Sequence, residues 1–244
     1  MHDLQIQLRK LAQPKKIPIY KNFFKTGEGE YGEGDEFIGV TVPDSREVAR
    51  DHVDISYADL AYIIKSKIHE DRLCALIVLI NKFDKAKTEQ GKRRAVDFYL
   101  KYHLYGNNWD LVDVIAPKIL GPWLIHRDKS LLYDYANSSN LWERRIAIIT
   151  TYHFIRQREF DDTIKISEIL LNDKHDLIHK AVGWMLREMG KREQNKLVDF
   201  LNKHYKNMPR TMLRYSIERL PEQTKKGYLS KNQMFQNRNV YVYI

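Results

Sequence analysis

Four residues have types and spacing that suit chemistry on a charged substrate. Trp109 and Asp113 are four apart in Asn108-Trp109-Asp110-Leu111-Val112-Asp113, so on a helix both side chains lie on one face. Arg145 and Trp184 follow at intervals that match an internal repeat. Indole faces attract cations and a carboxylate stabilises developing positive charge. A guanidinium attracts phosphate. Together they suit a substrate that carries both positive charge and phosphate.

The bulk composition agrees. The 244 residues carry 41 Lys+Arg against 32 Asp+Glu, a net charge of +9. That excess favours a polyanionic partner, although a merely basic protein would show it too. Damaged DNA is a polyanion that can carry a cationic base. The one cysteine, Cys74, lies inside the apolar run Leu73–Ile80, as a buried thiol would, and fits a reducing compartment. No span approaches the ~20 apolar residues of a membrane helix. Met1-His2-Asp3-Leu4-Gln5 has no basic-then-apolar secretory pattern. The expected location is the cytoplasm, with no membrane partner.

The elements that must position the four residues are helical. Gly and Pro cluster at few places, above all in the loop Thr26–Asp35. After Pro43, Asp44 with Glu47 predicts a helix start with Asp44 as N-cap. Helices are expected over 44–52, 56–67, 69–83, 89–103, 108–119, 128–137, 140–157, 160–171, 173–190, 193–205 and 209–219. The final residues 239–244 alternate like a short strand.

Beneath these helices runs a repeat. Arg145, Lys180 and Arg214 each precede small or apolar residues and are 35 and 34 apart; Arg72 lies 73 before Arg145, about two repeats. One unit is therefore expected near residue 109. Paired helices at this period predict an all-α fold, an α-solenoid (armadillo-like) of HEAT-like repeats. It should form a single domain over 1–230, with a tail at 231–244. In this register Trp109 and Arg145 occupy the repeat slot, and Asp113 and Trp184 lie four residues beyond it.

Singly, each residue also has an ordinary structural explanation. Asp113 would be a solvated helix carboxylate, the tryptophans packing residues, and Arg145 an ion pair between repeats. Gly183 is a poor helix former that would let a backbone or ligand approach closely. Several chemistries are not signalled. The nine histidines form no His-Glu-x-x-His, one Cys makes no Cys-rich zinc site, and the glycine cluster lacks a P-loop ending. There is no Gly-x-Ser-x-Gly elbow.

Three stretches resemble the DNA alkylation repair enzymes, the AlkD-type bacterial DNA glycosylases with HEAT-like repeats. They are Asn22–Gly27 through Tyr31–Asp35 to Phe37-Ile38-Gly39-Val40 and Pro43, then Asn108–Asp113 with Ala116-Pro117, then Trp142–Ala147 with Ile178–Arg187. The resemblance covers roughly residues 20–220. It implies hydrolysis of the N-glycosidic bond of N3- or N7-alkylated purines in duplex DNA, as in base excision repair, with no base-flipping pocket. It implies Asp113 as the catalytic carboxylate and Trp109 and Trp184 as walls flanking the deoxyribose. Arg145 would complete the site. Arg46, Thr41, Arg187 and Lys180 would contact DNA, although Thr41 and Val42 depart from the more polar pair of well-known members. The expectation is a monomeric, monofunctional hydrolase acting on double-stranded DNA with alkylated bases. It needs no cofactor, no metal and no obligatory protein partner. The alternatives are a non-catalytic HEAT-repeat protein that binds damaged or branched DNA, and a protein-binding scaffold.

Overall fold

The computed structural model describes residues 1–238. Among them are fourteen α-helices and no strand; the one isolated bridge pairs Glu36 with Ile68. The chain divides into two compact units, one from Met1 to Trp123 and one from Leu124 onward. The first holds α1 (Asp3–Lys10), α2 (Ile17–Phe23), α3 (Val42–Asp51), α4 (Tyr57–Ile63), α5 (His69–Lys85), α6 (Glu89–Tyr102) and α7 (Trp109–Leu124). The second holds α8 (Ser130–Ala136), α9 (Leu141–Arg156), α10 (Asp161–Ile169), α11 (Asp176–Gly190), α12 (Gln194–His204), α13 (Arg210–Ile217) and α14 (Glu222–Arg238).

All eleven expected helices form, and several of them start at polar caps. The α3 cap is Thr41 rather than Asp44. Its hydroxyl accepts from the Asp44 N–H at 3.3 Å and donates to the Asp44 carboxylate at 2.6 Å. Pro43 fits inside the first turn because it has no N–H to leave unsatisfied, so the helix starts earlier than Asp44 suggests. Ser56, Thr88 and Asn140 cap α4, α6 and α9. Three helices were not expected: α1, α2 and α14. α1 is a short amphipathic helix closed by a His2–Gln5 capping box. α14 runs into residues expected to be a tail. The strand-like segment 239–244 lies outside the described residues.

In the first unit α5 is the centre. Leu73 through Ile80 are buried without a break, so the helix is apolar all round and must be covered on several sides. α1, α3, α4 and α6 cover it. Cys74 is fully buried here, its thiol facing the Ser45 carbonyl, and burial pushes its pKa up.

The first turn of α5 is unusual. His69, Glu70, Asp71 and Arg72 are consecutive, charged and buried. Each finds partners from a distant part of the chain. Glu70 accepts from the Ile38, Gly39 and Val40 N–H groups, the shortest at 2.8 Å. Gly39 has φ +83, and a Cβ there would lie 2.2 Å from the Gln13 carbonyl oxygen, so only glycine makes this turn. Asp71 accepts from Gln5, Ser66 and Arg9. Asp35 joins His69 at 3.0 Å, Arg72 at 2.5 Å and Asn108 at 3.2 Å. His69 uses its other nitrogen on Asp110 at 2.8 Å.

In the second unit α9 and α11 are likewise buried on most sides. α11 packs against α9 on one side and α13 on the other, while α10 packs against α8, α9 and α11. Second helices of successive pairs therefore lie side by side. Gly183 allows the α11–α13 approach: a Cβ there would lie 2.5 Å from Tyr215 Cβ and 2.6 Å from the Met212 carbonyl oxygen.

Burial would lower the His69 pKa, but Asp110 and Asp35 outweigh it and raise it from 6.5 to about 9. A histidine raised in the folded state contributes stability that is full below its unfolded pKa and lost as pH rises through the folded one. The denaturation midpoint should therefore fall between about pH 6.5 and 9, and His69→Gln should flatten that fall while costing roughly 3–5 kcal/mol. A wild-type midpoint that stays level over this window would contradict the ion pairing. Gly183→Ala should destabilise by about 1–3 kcal/mol through overpacking against α13, measurable by urea unfolding.

Candidate functional site

The expected residues fall into two sets, one in each unit. In the first, Trp109 opens α7 and Asp113 lies one turn further on the same face, both half-buried. The start of α7 is held firmly. Asn108 accepts from the Trp109 N–H at 2.8 Å through its side chain while its amide donates to Asp35. Asp110, in the same first turn, is the second partner of His69. Pro117 lies one turn beyond Asp113 and, lacking an N–H, cannot close the helical hydrogen bond to its carbonyl.

The Trp109 indole is braced by α2 and the residue after it. Phe24 stacks on it at 5.5 Å with planes 24° apart, and Phe23 meets it edge-on at 5.5 Å. Phe24 in turn stacks on Phe37 and contacts the His69 ring. Phe23 is 58% exposed. Nothing in the sequence marked either phenylalanine as a support for Trp109. The only local signal is that two aromatics end a short helix beside the glycine loop.

On α3, Arg46 is exposed and lines a cleft with Pro43, Glu47, Arg50, Asn81, and Lys85 at the end of α5. Thr41 is engaged in the cap already described. The glycine loop that precedes them is closed by its own carboxylates: Glu30 accepts from the Gly27 N–H and Glu33 from the Gly29 N–H.

In the second unit, Arg145 on α9 is only 4% exposed, and its Nη1 donates to the Leu177 carbonyl at 2.6 Å, in the first turn of α11. Trp184 on α11 is half-buried and faces Tyr152 of α9 at 5.8 Å. Lys180 pairs with Asp176 at 2.6 Å. Arg187 is held by Glu218 and lies near Glu188 at 3.9 Å, so its charge is already shared with carboxylates.

The helix starts give four residues the same place along their own helices. Asp113, Arg145, Lys180 and Arg214 are each the fifth residue of their helix. The slot on α7 thus belongs to Asp113, and Trp109 lies one turn earlier. A shift of one turn keeps the same helix face. It also shows that a position basic on α9, α11 and α13 is acidic on α7.

Among the described residues no group of three or more His, Cys, Asp or Glu side chains is placed to hold a metal ion. No helix among them is long and apolar enough to cross a membrane.

The model of the family described as DNA alkylation repair enzyme matches residues 4–220. The chain belongs to the DNA alkylation repair enzyme family. The fold is similar to that of a solved structure described as a predicted DNA alkylation repair enzyme from Enterococcus faecalis. That match has a TM-score of 0.67 and 16% sequence identity, covering 86% of this chain and 97% of the other. None of the curated proteins matches the chain.

Because the Thr41 hydroxyl caps α3, Thr41→Ala should cost about 1 kcal/mol of stability, and Thr41→Ser should restore most of it. Equal unfolding midpoints for Thr41→Ala and wild type would refute the capping role.

Proposed function

We propose that this member of the DNA alkylation repair enzyme family is a monofunctional alkylpurine DNA glycosylase. In this reading its helix pairs are the HEAT-like repeats of an α-solenoid, and it hydrolyses the N-glycosidic bond of N3- or N7-alkylated purines in duplex DNA. The observation that carries the reading is the pair on α7. Asp113 lies one turn from an indole that is braced by Phe24, on a helix whose first turn is tied to buried charges.

The chemistry matches the residues. Alkylation at N7 or N3 puts positive charge on the purine, which makes it a good leaving group. Cleavage develops oxocarbenium character on the sugar. A carboxylate ~4 Å from that charge contributes roughly 4 kcal/mol at an intermediate dielectric, about three decades in rate. Asp113 also has the chemistry to orient the attacking water. Trp109 and Trp184 supply cation–π faces to the charged sugar and base, on the order of 0.5–2 kcal/mol each. Arg145 is assigned to the same reaction. Arg46, Thr41, Arg187 and Lys180 are assigned to the DNA backbone. For Arg187 that assignment requires the phosphate to compete with Glu218.

The test is release of 7-methylguanine from methylated duplex. Asp113→Asn should lower the single-turnover rate by about a thousandfold. A variant rate equal to wild type would remove the carboxylate from the mechanism. Salt-sensitive duplex binding by the wild type without any base release would instead favour the non-catalytic DNA-binding reading.

A further inference from the structure

Outside the site, the first unit carries a chain of aromatic rings covered by cations. Tyr57 of α4 meets Phe98 of α6 at 5.5 Å, Phe98 meets Tyr102 at 4.7 Å, and Tyr102 meets Tyr105 at 6.3 Å. Four cations lie over the two tyrosines that flank Phe98. The Arg94 guanidinium is 4.4 Å and the Lys82 ammonium 5.2 Å from the Tyr57 ring. Lys65 and Lys101 are 5.4 Å and 5.5 Å from Tyr102. They come from different elements: Lys82 from α5, Arg94 and Lys101 from α6, and Lys65 from the turn after α4.

Two features distinguish this face from scattered surface lysines. First, the rings restrain the cations. A lysine or arginine side chain ordinarily keeps much of its rotamer freedom at a surface, and a ring contact of roughly 0.5–1 kcal/mol removes part of it before any partner arrives. Second, like charges are gathered. Lys82 and Arg94 share one ring; burial and the Arg94 charge lower the Lys82 pKa, against the opposing pull of Asp54. From Lys82 to Lys101 the chain has seven Lys/Arg (82, 85, 87, 92, 93, 94, 101) against Asp84, Glu89 and Asp97. Asp97 lies 3.9 Å from Arg93. Assembling cations beside one another raises the energy of the isolated protein, and an anionic partner relieves it.

We propose that this α4–α6 face is a second seat for the phosphate backbone of duplex DNA, separate from the residues assigned above. The inference rests on the reading of the protein as DNA-binding. Duplex fits better than unpaired strands because Phe98 is buried and Tyr57 and Tyr102 are covered by cations, so this face offers a partner mainly charge, with Tyr105 its exposed ring. A duplex presents a negative charge every ~1.7 Å of axis, a density that a row of fixed cations can meet. Such a seat contacts no base, so it holds damaged and undamaged DNA alike.

Amine-reactive footprinting of the full chain, with and without a short undamaged duplex at low salt, tests this on the unmodified fold. Lys65, Lys82 and Lys101 should label several-fold more slowly with DNA present. The double variant Arg94→Gln/Lys101→Gln should reduce the slope of log affinity against log salt by about 2. Unchanged labelling at these three lysines, with Lys180 protected, would overturn the second seat and leave the DNA-binding reading standing. Labelling unchanged at every lysine would overturn both.

Discussion

The first unit depends on four charged side chains buried in one helical turn. Charges taken out of water cost several kcal/mol each unless they are paired and fully hydrogen-bonded. His69, Glu70, Asp71 and Arg72 therefore oblige distant segments to come to them. Glu70 gathers the backbone of the turn at Ile38–Val40, Asp71 gathers α1 through Gln5 and Arg9, and Asp35 joins His69, Arg72 and Asn108. Burial alone would raise the Asp35 pKa, but its bond to His69 and the Arg72 charge bring it below the usual range. For Glu70 burial prevails and the carboxyl is pushed up, although three N–H groups favour its charged form.

That cluster decides where the elements that carry the candidate residues begin. The turn held by Glu70 delivers Thr41 to the cap of α3, and α3 carries Arg46. Asn108 and Asp110 tie the first turn of α7 to the same charges, and α7 carries Trp109 and Asp113. The aromatic support is continuous with it: Trp109 rests on Phe24, which contacts both Phe37 and His69. In the proposed reaction a carboxylate that stabilises a short-lived cation must already be in place, since reorganising it would forfeit most of its electrostatic benefit. Anchoring the helix start to buried charges is one way to obtain that rigidity.

The second unit achieves placement by close backbone approach. α9, α11 and α13 lie side by side, and Gly183 removes the one Cβ that would hold α11 and α13 apart. Trp184 follows Gly183 on this packed helix and rests against Tyr152 of α9. Arg145 crosses from α9 to the first turn of α11, so it serves packing as well as any chemistry assigned to it.

Local pattern sufficed for much of the fold. Apolar periodicity and cap residues foretold eleven helices, because both act within a few residues of chain. Pairing Trp109 with Asp113 needed only the helical period. α1 was missed despite its amphipathic face and capping box; at eight residues it is held through Gln5 and Arg9 to Asp71, far along the chain. The helix starts at 109, 141, 176 and 210 are 32, 35 and 34 residues apart, so it is Asp113 on α7 that shares its place along the helix with Arg145, Lys180 and Arg214. What the sequence determined by itself was eleven of the fourteen helices and the types of the candidate side chains. Only the tertiary structure decided that His69–Arg72 are buried, that Phe24 braces Trp109, and that Asp113 holds the slot basic residues hold on α9, α11 and α13. Each of these depends on groups tens of residues apart, and burial, which makes such pairings energetically decisive, exists only once the chain has folded.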